Sequence, residues 1–295
     1  MAFPIETFDI ALPHGVRLAC RATGARNAPV LVFLHGFPEA AFIWDELLLH
    51  FGQRYRCVAP NLRGYGGSSA PAEVEAYRAR HLVADVAALI VQLGAPLEAL
   101  VGHDWGGAVA WSLALQQPQL LERLVVINAP HPGPFLRDLQ DDAAQQAASA
   151  YMNFFCRADA QSLLAENDYA RLWPFFTNVG GAAWLDEQAK ARYRTEWARG
   201  LTGPLNYYRA SPLRPPTAAD PAANKIYFEP EQITVRVPTT VIWGERDTAL
   251  LPKLLDGLGQ WVPQLDVVRM PDASHWIVHE QPGRVARAIE AALGG

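Results

Sequence analysis

Short apolar runs alternate with amphipathic stretches over the first 130 residues of the chain. Six of these runs predict strands, at residues 5–12, 16–22, 29–34, 56–59, 97–101 and 124–127. The run at 29–34 is apolar throughout, which is typical of a strand buried on both faces of a parallel sheet. Residues 81–93 instead carry apolar side chains at a helical period. This alternation predicts an α/β fold, with a mostly parallel sheet and helices on both of its faces.

The alternation stops after residue 128 and returns near residue 239. Between them the chain is rich in alanine, glutamine and aromatic residues, which predicts helices without strong strands, and proline-rich 212–221 predicts a loop. The remaining predicted elements are a strand at 239–243, a helix near 250–258, a strand at 265–270 and a closing helix over 276–293. We therefore predict a core formed by residues 1–134 and 234–295, interrupted by a helical insertion at 135–233.

Composition narrows the classes of function. The chain has 295 residues, half of them hydrophobic, and a net charge of −5, so it has no basic excess for binding nucleic acid or an anionic membrane. No apolar stretch is long enough to span a bilayer, and the first residues do not resemble a signal peptide. Three widely spaced cysteines indicate reduced thiols rather than a disulfide or metal site. We expect a cytoplasmic protein with no metal or organic cofactor.

The segment Gly102-His103-Asp104-Trp105-Gly106 lies between a predicted strand and a predicted helix. Small residues at both ends permit a sharp, strained turn that raises the central side chain above the sheet, and serine is the usual residue at that point. Here the central residue is Asp104. A carboxylate in this position predicts nucleophilic attack on carbon, which would form an alkyl ester on the enzyme.

A base and an orienting acid are expected at other strand ends, because ligands bind at the carboxyl edge of a parallel sheet. His275 follows the last predicted strand and is the predicted base, which would activate water to hydrolyse the ester. Asp247 is the predicted acid because it lies several residues beyond its strand, and Glu245 and Asp272 are its rivals. The loop after residues 124–127 offers Asn128 but no carboxylate.

Two backbone N–H groups are predicted to form an anion hole. They belong to Trp105, next to the nucleophile, and to Phe37, in the loop His35-Gly36-Phe37-Pro38. Backbone donors suit this role because the turn fixes them before the reaction begins. The other histidines near these motifs, His103, His131 and His279, are predicted to be structural.

These motifs together resemble the α/β-hydrolase-fold epoxide hydrolases. The resemblance rests on five segments, His35-Gly36-Phe37-Pro38-Glu39, Arg63-Gly64-Tyr65-Gly66, Gly102–Gly107, Gly244–Asp247 and Ser274-His275-Trp276. It implies that the insertion is a helical cap and that two cap tyrosines protonate the oxygen of the epoxide. Tyr208, in Gly203-Pro204-Leu205-Asn206-Tyr207-Tyr208, and Tyr151, at the start of the cap, match those positions. The cap also holds Tyr169, Tyr193 and Tyr207, any of which could merely pack, and on the residues alone every cap tyrosine is interpreted as a core or lining residue.

Other functions on this fold remain as alternatives. A haloalkane or haloacid dehalogenase would use the same Asp–His–Asp triad, but Phe37 stands where an asparagine commonly holds the halide, and Trp105 and Ala108 stand where fluoroacetate dehalogenases carry arginine. A non-catalytic ligand receptor is disfavoured by the complete catalytic set. The expected partners are a neutral, hydrophobic epoxide and water, and we leave a homodimer open.

Overall fold

A computed structural model describes residues 3–178 and 182–294 of the chain. Its strands form one eight-stranded sheet in the spatial order β1-β2-β4-β3-β5-β6-β7-β8. The strands are β1 (Glu6–Ala11), β2 (Arg17–Thr23), β3 (Val30–Leu34), β4 (Arg56–Pro60), β5 (Ala99–His103), β6 (Leu124–Ile127), β7 (Thr239–Gly244) and β8 (Leu265–Met270). β2 pairs antiparallel with β1 and β4, and the remaining pairs are parallel. The prediction of a mostly parallel sheet is confirmed.

Apolar side chains cover both faces of the central strands. Every residue of β3, β5, β6 and β7 is buried. In β3, Val32 and Leu34 pack into the apolar cluster on one face, whereas Leu31 and Phe33 pack into the cluster on the other. A strand buried on both faces has no polar side to present to water, which is why these runs are apolar in the sequence.

The helices of the core lie on both faces of the sheet, and a further run of helices occupies the part of the chain between β6 and β7. They are α1 (Asp45–Phe51), α2 (Ala79–Leu93), α3 (Trp105–Gln116), α4 (Pro132–Asp141), α5 (Ala143–Ala148), α6 (Tyr151–Phe155), α7 (Ala160–Tyr169), α8 (Trp173–Thr177), α9 (Glu187–Trp197), α10 (Thr202–Ala210), α11 (Ile277–Glu280) and α12 (Pro282–Ala292). Single 3₁₀ turns cover Ala41–Trp44, Val74–Tyr77, Pro118–Leu120, Ala222–Lys225, Pro230–Ile233, Pro252–Leu255 and Leu258–Gln260.

Two predicted helices differ from the structure. The helix predicted near residues 250–258 is wrong, because that stretch holds two 3₁₀ turns separated by Gly257 at a φ of 76°. A residue in this left-handed conformation ends a helix. The closing helix is interrupted at Gln281, whose φ of −140° and ψ of 49° are not helical, because Pro282 has no N–H to continue the ladder.

The described residues between β6 and β7 form helices, turns and loops but no strand. Cap side chains such as Phe155, Tyr193 and Trp197 join the same apolar cluster as one face of the sheet. This packing places the insertion directly over the carboxyl ends of the central strands, although its boundaries at 135 and 233 stay a prediction. No helix in the described part of the chain is long and apolar enough to cross a membrane.

Candidate active site

Asp104 lies in a strained turn between β5 and α3. Its φ is 51° and its ψ is −123°, a backbone conformation that side chains with a Cβ rarely adopt. Close packing maintains the turn, since a Cβ on Gly106 would lie 2.2 Å from the carbonyl oxygen of Leu34. Non-glycine residues in such conformations persist only where surrounding contacts enforce them, and they cluster at functional sites. The turn therefore has the geometry predicted from the sequence.

The carboxylate of Asp104 lies against the loop that follows β3. The backbone N–H of Phe37 donates to Oδ1 of Asp104 at 2.7 Å, and the backbone N–H of Trp105 lies near enough to lower the pKa of this carboxylate. A Cβ on Gly36 would lie only 2.1 Å from the same Oδ1, so glycine is needed for this approach. Burial raises the pKa of Asp104, while His275, His103 and the two N–H groups oppose the rise. The structure thus places both predicted anion-hole groups beside Asp104, and the N–H of Phe37 is hydrogen-bonded to it.

His275 lies between two carboxylates. Its Nδ1 is 2.7 Å from Oδ2 of Asp247, and its Nε2 is 3.7 Å from Oδ2 of Asp104, which is too long for a hydrogen bond. Burial disfavours the charged imidazolium, but the two carboxylates outweigh it and raise the pKa of His275 to about 9. The three predicted residues of the triad therefore meet, with the histidine in contact with the acid and facing the nucleophile.

Asp247 is held by four donors. The backbone N–H groups of Ala249 and Leu250 donate to its Oδ1, each at 2.9 Å, while His275 and Nδ2 of Asn128 share its Oδ2. Burial disfavours its negative charge, but His275 and these hydrogen bonds lower the pKa of Asp247 overall. Asp247 is therefore a fixed anion at the far side of the imidazole.

The two rival acids lie elsewhere. Glu245 pairs with Arg269 and Asp272 pairs with Arg284, each at 2.8 Å. All four of these side chains are more than a quarter exposed. Neither rival therefore shares the buried environment in which Asp247 meets the histidine.

Asn128 is a polar group in the site to which the sequence assigned no function. It follows β6 at a φ of 39°, and it is fully buried. Its Nδ2 lies 2.8 Å from Oδ2 of Asp247, and its Oδ1 accepts the N–H of Gly244 at 2.8 Å. Its position at the carboxyl end of a central strand was the signal that could have identified it. Asn128 ties the ends of two adjacent strands to the acid.

A second buried carboxylate, Glu39, lies near His103, the residue that precedes Asp104. Oε1 of Glu39 is 2.6 Å from Nε2 of His279, and the Tyr193 hydroxyl of the cap donates to it at 2.6 Å. Its Oε2 is 3.4 Å from Nδ1 of His103, whose Nε2 is 2.9 Å from the carbonyl oxygen of His275. Burial opposes the charge of Glu39, yet the two histidines hold its pKa well below its ordinary value. Glu39 therefore connects Tyr193 of the cap, through its hydroxyl, with the backbone of His275, through His103.

The turn that carries His275 is fixed by a bidentate contact. Glu280 accepts the backbone N–H of Ser274 at 2.7 Å and the Ser274 hydroxyl at 2.6 Å. On the cap side, the indole N–H of Trp276 donates to the carbonyl oxygen of Phe175 at 2.7 Å. The predicted base is therefore held from both the core and the cap.

Tyr151 of α6 and Tyr208 of α10 line the cavity that contains Asp104. Their ring centroids are 6.1 Å apart, and burial raises the pKa of each hydroxyl well above its ordinary value. None of the side-chain hydrogen bonds within residues 3–178 and 182–294 uses the proton of either hydroxyl. Tyr207 instead donates to the carbonyl oxygen of Arg63 at 2.9 Å, and Tyr193 donates to Glu39. Tyr169 does not line the cavity. Within the described residues, Tyr151 and Tyr208 are therefore the cap tyrosines that line the cavity with hydroxyl protons not donated to another protein group.

The cavity itself has a volume of about 500 Å³ and is lined mainly by apolar side chains. Among its lining residues, Asp104 is the only one that carries a charge. Volumes of 300–1,000 Å³ with few polar groups are typical of small-molecule sites. The arrangement can therefore bind a neutral organic molecule beside a carboxylate, a histidine and two phenolic protons.

Several known proteins are similar to this chain in sequence and in fold. The family model of the alpha/beta hydrolase fold matches residues 29–282. AB hydrolase superfamily protein YfhM of Bacillus subtilis (strain 168) is 35% identical over 94% of each chain, and Epoxide hydrolase 3 of Xenopus tropicalis is 33% identical over 95% of this chain and 75% of the relative. A solved structure described under novel epoxide hydrolases in metagenomes from hot environments is 38% identical, with a TM-score of 0.88 over 98% of this chain and 99% of that one. The chain therefore belongs to the epoxide hydrolases of the α/β-hydrolase fold.

Proposed function

We propose that this enzyme opens neutral, hydrophobic epoxides to vicinal diols through a covalent ester on Asp104, with no metal or organic cofactor. The observation that carries the proposal is the position of the Asp104 carboxylate in one apolar cavity with two cap tyrosines whose protons are free, while Nε2 of His275 lies 3.7 Å from Oδ2 of Asp104. Each of these groups has a role that the two half-reactions require.

In the first half-reaction, Oδ2 of Asp104 attacks a ring carbon of the epoxide and the carbon–oxygen bond of the ring breaks. Oδ2 is the available oxygen, because Oδ1 accepts the backbone N–H of Phe37. The ring oxygen takes a proton from Tyr151 or Tyr208, which therefore stabilise the developing alkoxide. The products of this step are an alkyl ester, a free hydroxyl on the substrate and one tyrosinate.

In the second half-reaction, neutral His275 removes a proton from water, and the hydroxide oxygen attacks Cγ of the ester. The negative charge that develops on Oδ1 is stabilised by the N–H groups of Phe37 and Trp105. The Cγ–Oδ2 bond then breaks, and the diol leaves with Oδ2 and with the remaining proton of the attacking water, so that Asp104 is again a carboxylate. The proton on His275 restores the tyrosine, and Asp247 stabilises the imidazolium until then.

Isotope labelling tests the covalent step. In a single turnover in ¹⁸O water, with enzyme in excess over styrene oxide, the diol should contain no label because its new oxygen comes from Asp104. The label should appear in the Asp104 peptide, and later turnovers should release labelled diol. Label in the diol of the first turnover would show that water attacks the epoxide directly.

The nearest alternative is a dehalogenase with the same triad. Such an enzyme needs side-chain donors for the departing halide, but Phe37 offers none, which leaves Trp105 as the single donor of the commonly paired halide site. A panel of styrene oxide, long-chain epoxides, halogenated alkanes and haloacetates separates the two functions. Halide release faster than diol formation across that panel would assign a dehalogenase.

A further inference from the structure

The cavity beside Asp104 is elongated along helix α3. Its lining includes Asp104, Ala108, Ser112 and Gln116, which are spaced four residues apart and therefore lie on one face of the helix. With a rise of about 1.5 Å per residue, the twelve-residue step from Asp104 to Gln116 spans about 18 Å. The catalytic carboxylate is thus at one end of a long channel.

The rest of the channel is apolar and larger than a compact substrate needs. Leu82 and Val83 of α2 line one wall, and Leu213 and Phe228, which follow α10, line another. A cavity of about 150 Å³ is sufficient for benzene. The volume of about 500 Å³ is more than three times that value, so an aryl epoxide would leave much of the channel unfilled.

Small side chains keep the middle of the channel open. Ala108 and Ser112 are the smallest of the α3 residues that line the cavity between Asp104 and Gln116, beside the larger Trp105, Val109, Trp111 and Leu115. The Ser112 hydroxyl donates to the carbonyl oxygen of Ala108 at 2.9 Å. That hydroxyl therefore does not require a polar partner on a ligand. Ala108 and Ser112 are half-buried whereas Gln116 is exposed, which places the opening of the channel to solvent near Gln116.

On the basis of the proposed function, we propose that the preferred substrates carry the epoxide at the end of an unbranched apolar chain that lies along α3. Because each carbon–carbon bond advances the chain by at most about 1.5 Å, a chain of about twelve or more carbons is needed to fill the distance to Gln116. Ala108 and Ser112 are the specificity-determining residues, since larger side chains there would shorten the channel.

A homologous series of terminal 1,2-epoxyalkanes tests the length of the channel. We expect kcat/KM to rise about two- to fourfold with each added methylene, as burial of an apolar group predicts, and to level off near the length that reaches Gln116. Compact cycloalkyl epoxides with equal carbon numbers control for hydrophobicity alone and should be poorer substrates. A compact isomer that equals or exceeds the linear one would overturn the proposal.

A substitution tests the position of the chain. Ser112→Leu should lower the ratio of kcat/KM for the long epoxide to that for the short one by about tenfold or more. Gln119→Leu is the matched control, because Gln119 is exposed and does not line the cavity. This control should leave the ratio unchanged. An unchanged ratio in Ser112→Leu would place the chain elsewhere and refute the assignment.

Binding of product separates this inference from the proposed reaction. Calorimetry with 1,2-alkanediols of increasing length measures the channel without turnover, and the affinity should rise with chain length and then level off. Length-dependent binding without epoxide turnover would refute the proposed function alone. Epoxide turnover with diol affinity independent of length would refute the long-chain substrate alone.

Discussion

Formation of the ester should itself activate His275 as a base. In the free enzyme the pKa of His275 is raised to about 9, partly by the carboxylate of Asp104, so the imidazole is mostly protonated at neutral pH. The second half-reaction needs the neutral form. Alkylation converts Asp104 into an uncharged ester, which removes one of the two carboxylates that hold the proton on His275.

The distance between the two groups gives the size of this effect. A unit charge 3.7 Å from the imidazolium stabilises it by about 1 kcal/mol in bulk water and by about 4.5 kcal/mol at an effective dielectric constant of about 20. Since one pH unit corresponds to about 1.4 kcal/mol, loss of that charge lowers the titration midpoint by about one to three pH units. Hydrolysis of the ester should then rise with pH through a midpoint between about pH 6 and pH 8.

Asp104→Asn mimics the uncharged ester and allows a direct test. The midpoint of His275, followed by NMR of its ring protons, should fall in this variant relative to the wild type. The eight histidines are distinguished by comparison with His275→Gln. Asp266→Asn, which neutralises an exposed carboxylate on β8, is the control and should leave the midpoint in place. An equal midpoint in Asp104→Asn and the wild type would refute this coupling.

Four other substitutions test individual roles. His275→Gln should form the ester but not hydrolyse it, so intact-protein mass spectrometry should show a persistent adduct; a folded variant that binds substrate without an adduct would contradict the division of labour. Tyr151→Phe and Tyr208→Phe should each slow alkylation by about 10- to 100-fold in stopped-flow measurements, and the double variant should nearly abolish it; unaltered turnover in Tyr151→Phe would make that residue a packing residue. Asn128→Ala removes a hydrogen bond to a charged group, which is worth about 1.5–3 kcal/mol, so ester hydrolysis should slow by roughly 10- to 100-fold. Equal loss in the alkylation step would argue that Asn128 supports only the fold.

Local patterns were sufficient to predict the sheet and the triad. Strands buried on both faces are uniformly apolar, and the strained turn at Asp104 requires small neighbours, so both leave a signal over a few adjacent residues. His275 and Asp247 each follow a predicted strand. Because the carboxyl ends of parallel strands share one edge of the sheet, the two residues were expected to meet there, and they do. The roles of these residues stay predictions until the experiments above are done.

Contacts between distant segments were not visible in the sequence. Asn128 and Asp247 are 119 residues apart, and Glu39 meets Tyr193 across 154 residues. Hydrogen bonds of this kind depend on the packing of the whole fold and leave no periodic pattern. The false helix at 250–258 has a different cause, since its apolar spacing is helical but Pro252 and Gly257 restrict it to single turns.

The backbone of Asp104 has a consequence for engineering this protein towards heat resistance. Glycine adopts this backbone conformation without steric cost because it has no Cβ. A residue with a Cβ that is held in it lowers the stability of the folded protein by about 1–3 kcal/mol. Burial of the carboxylate adds to that loss. A selection for melting temperature alone would therefore favour glycine at position 104, and under the proposed mechanism that variant has no nucleophile. Thermostable variants should be selected for retained turnover as well, because at this position stability and activity favour different residues.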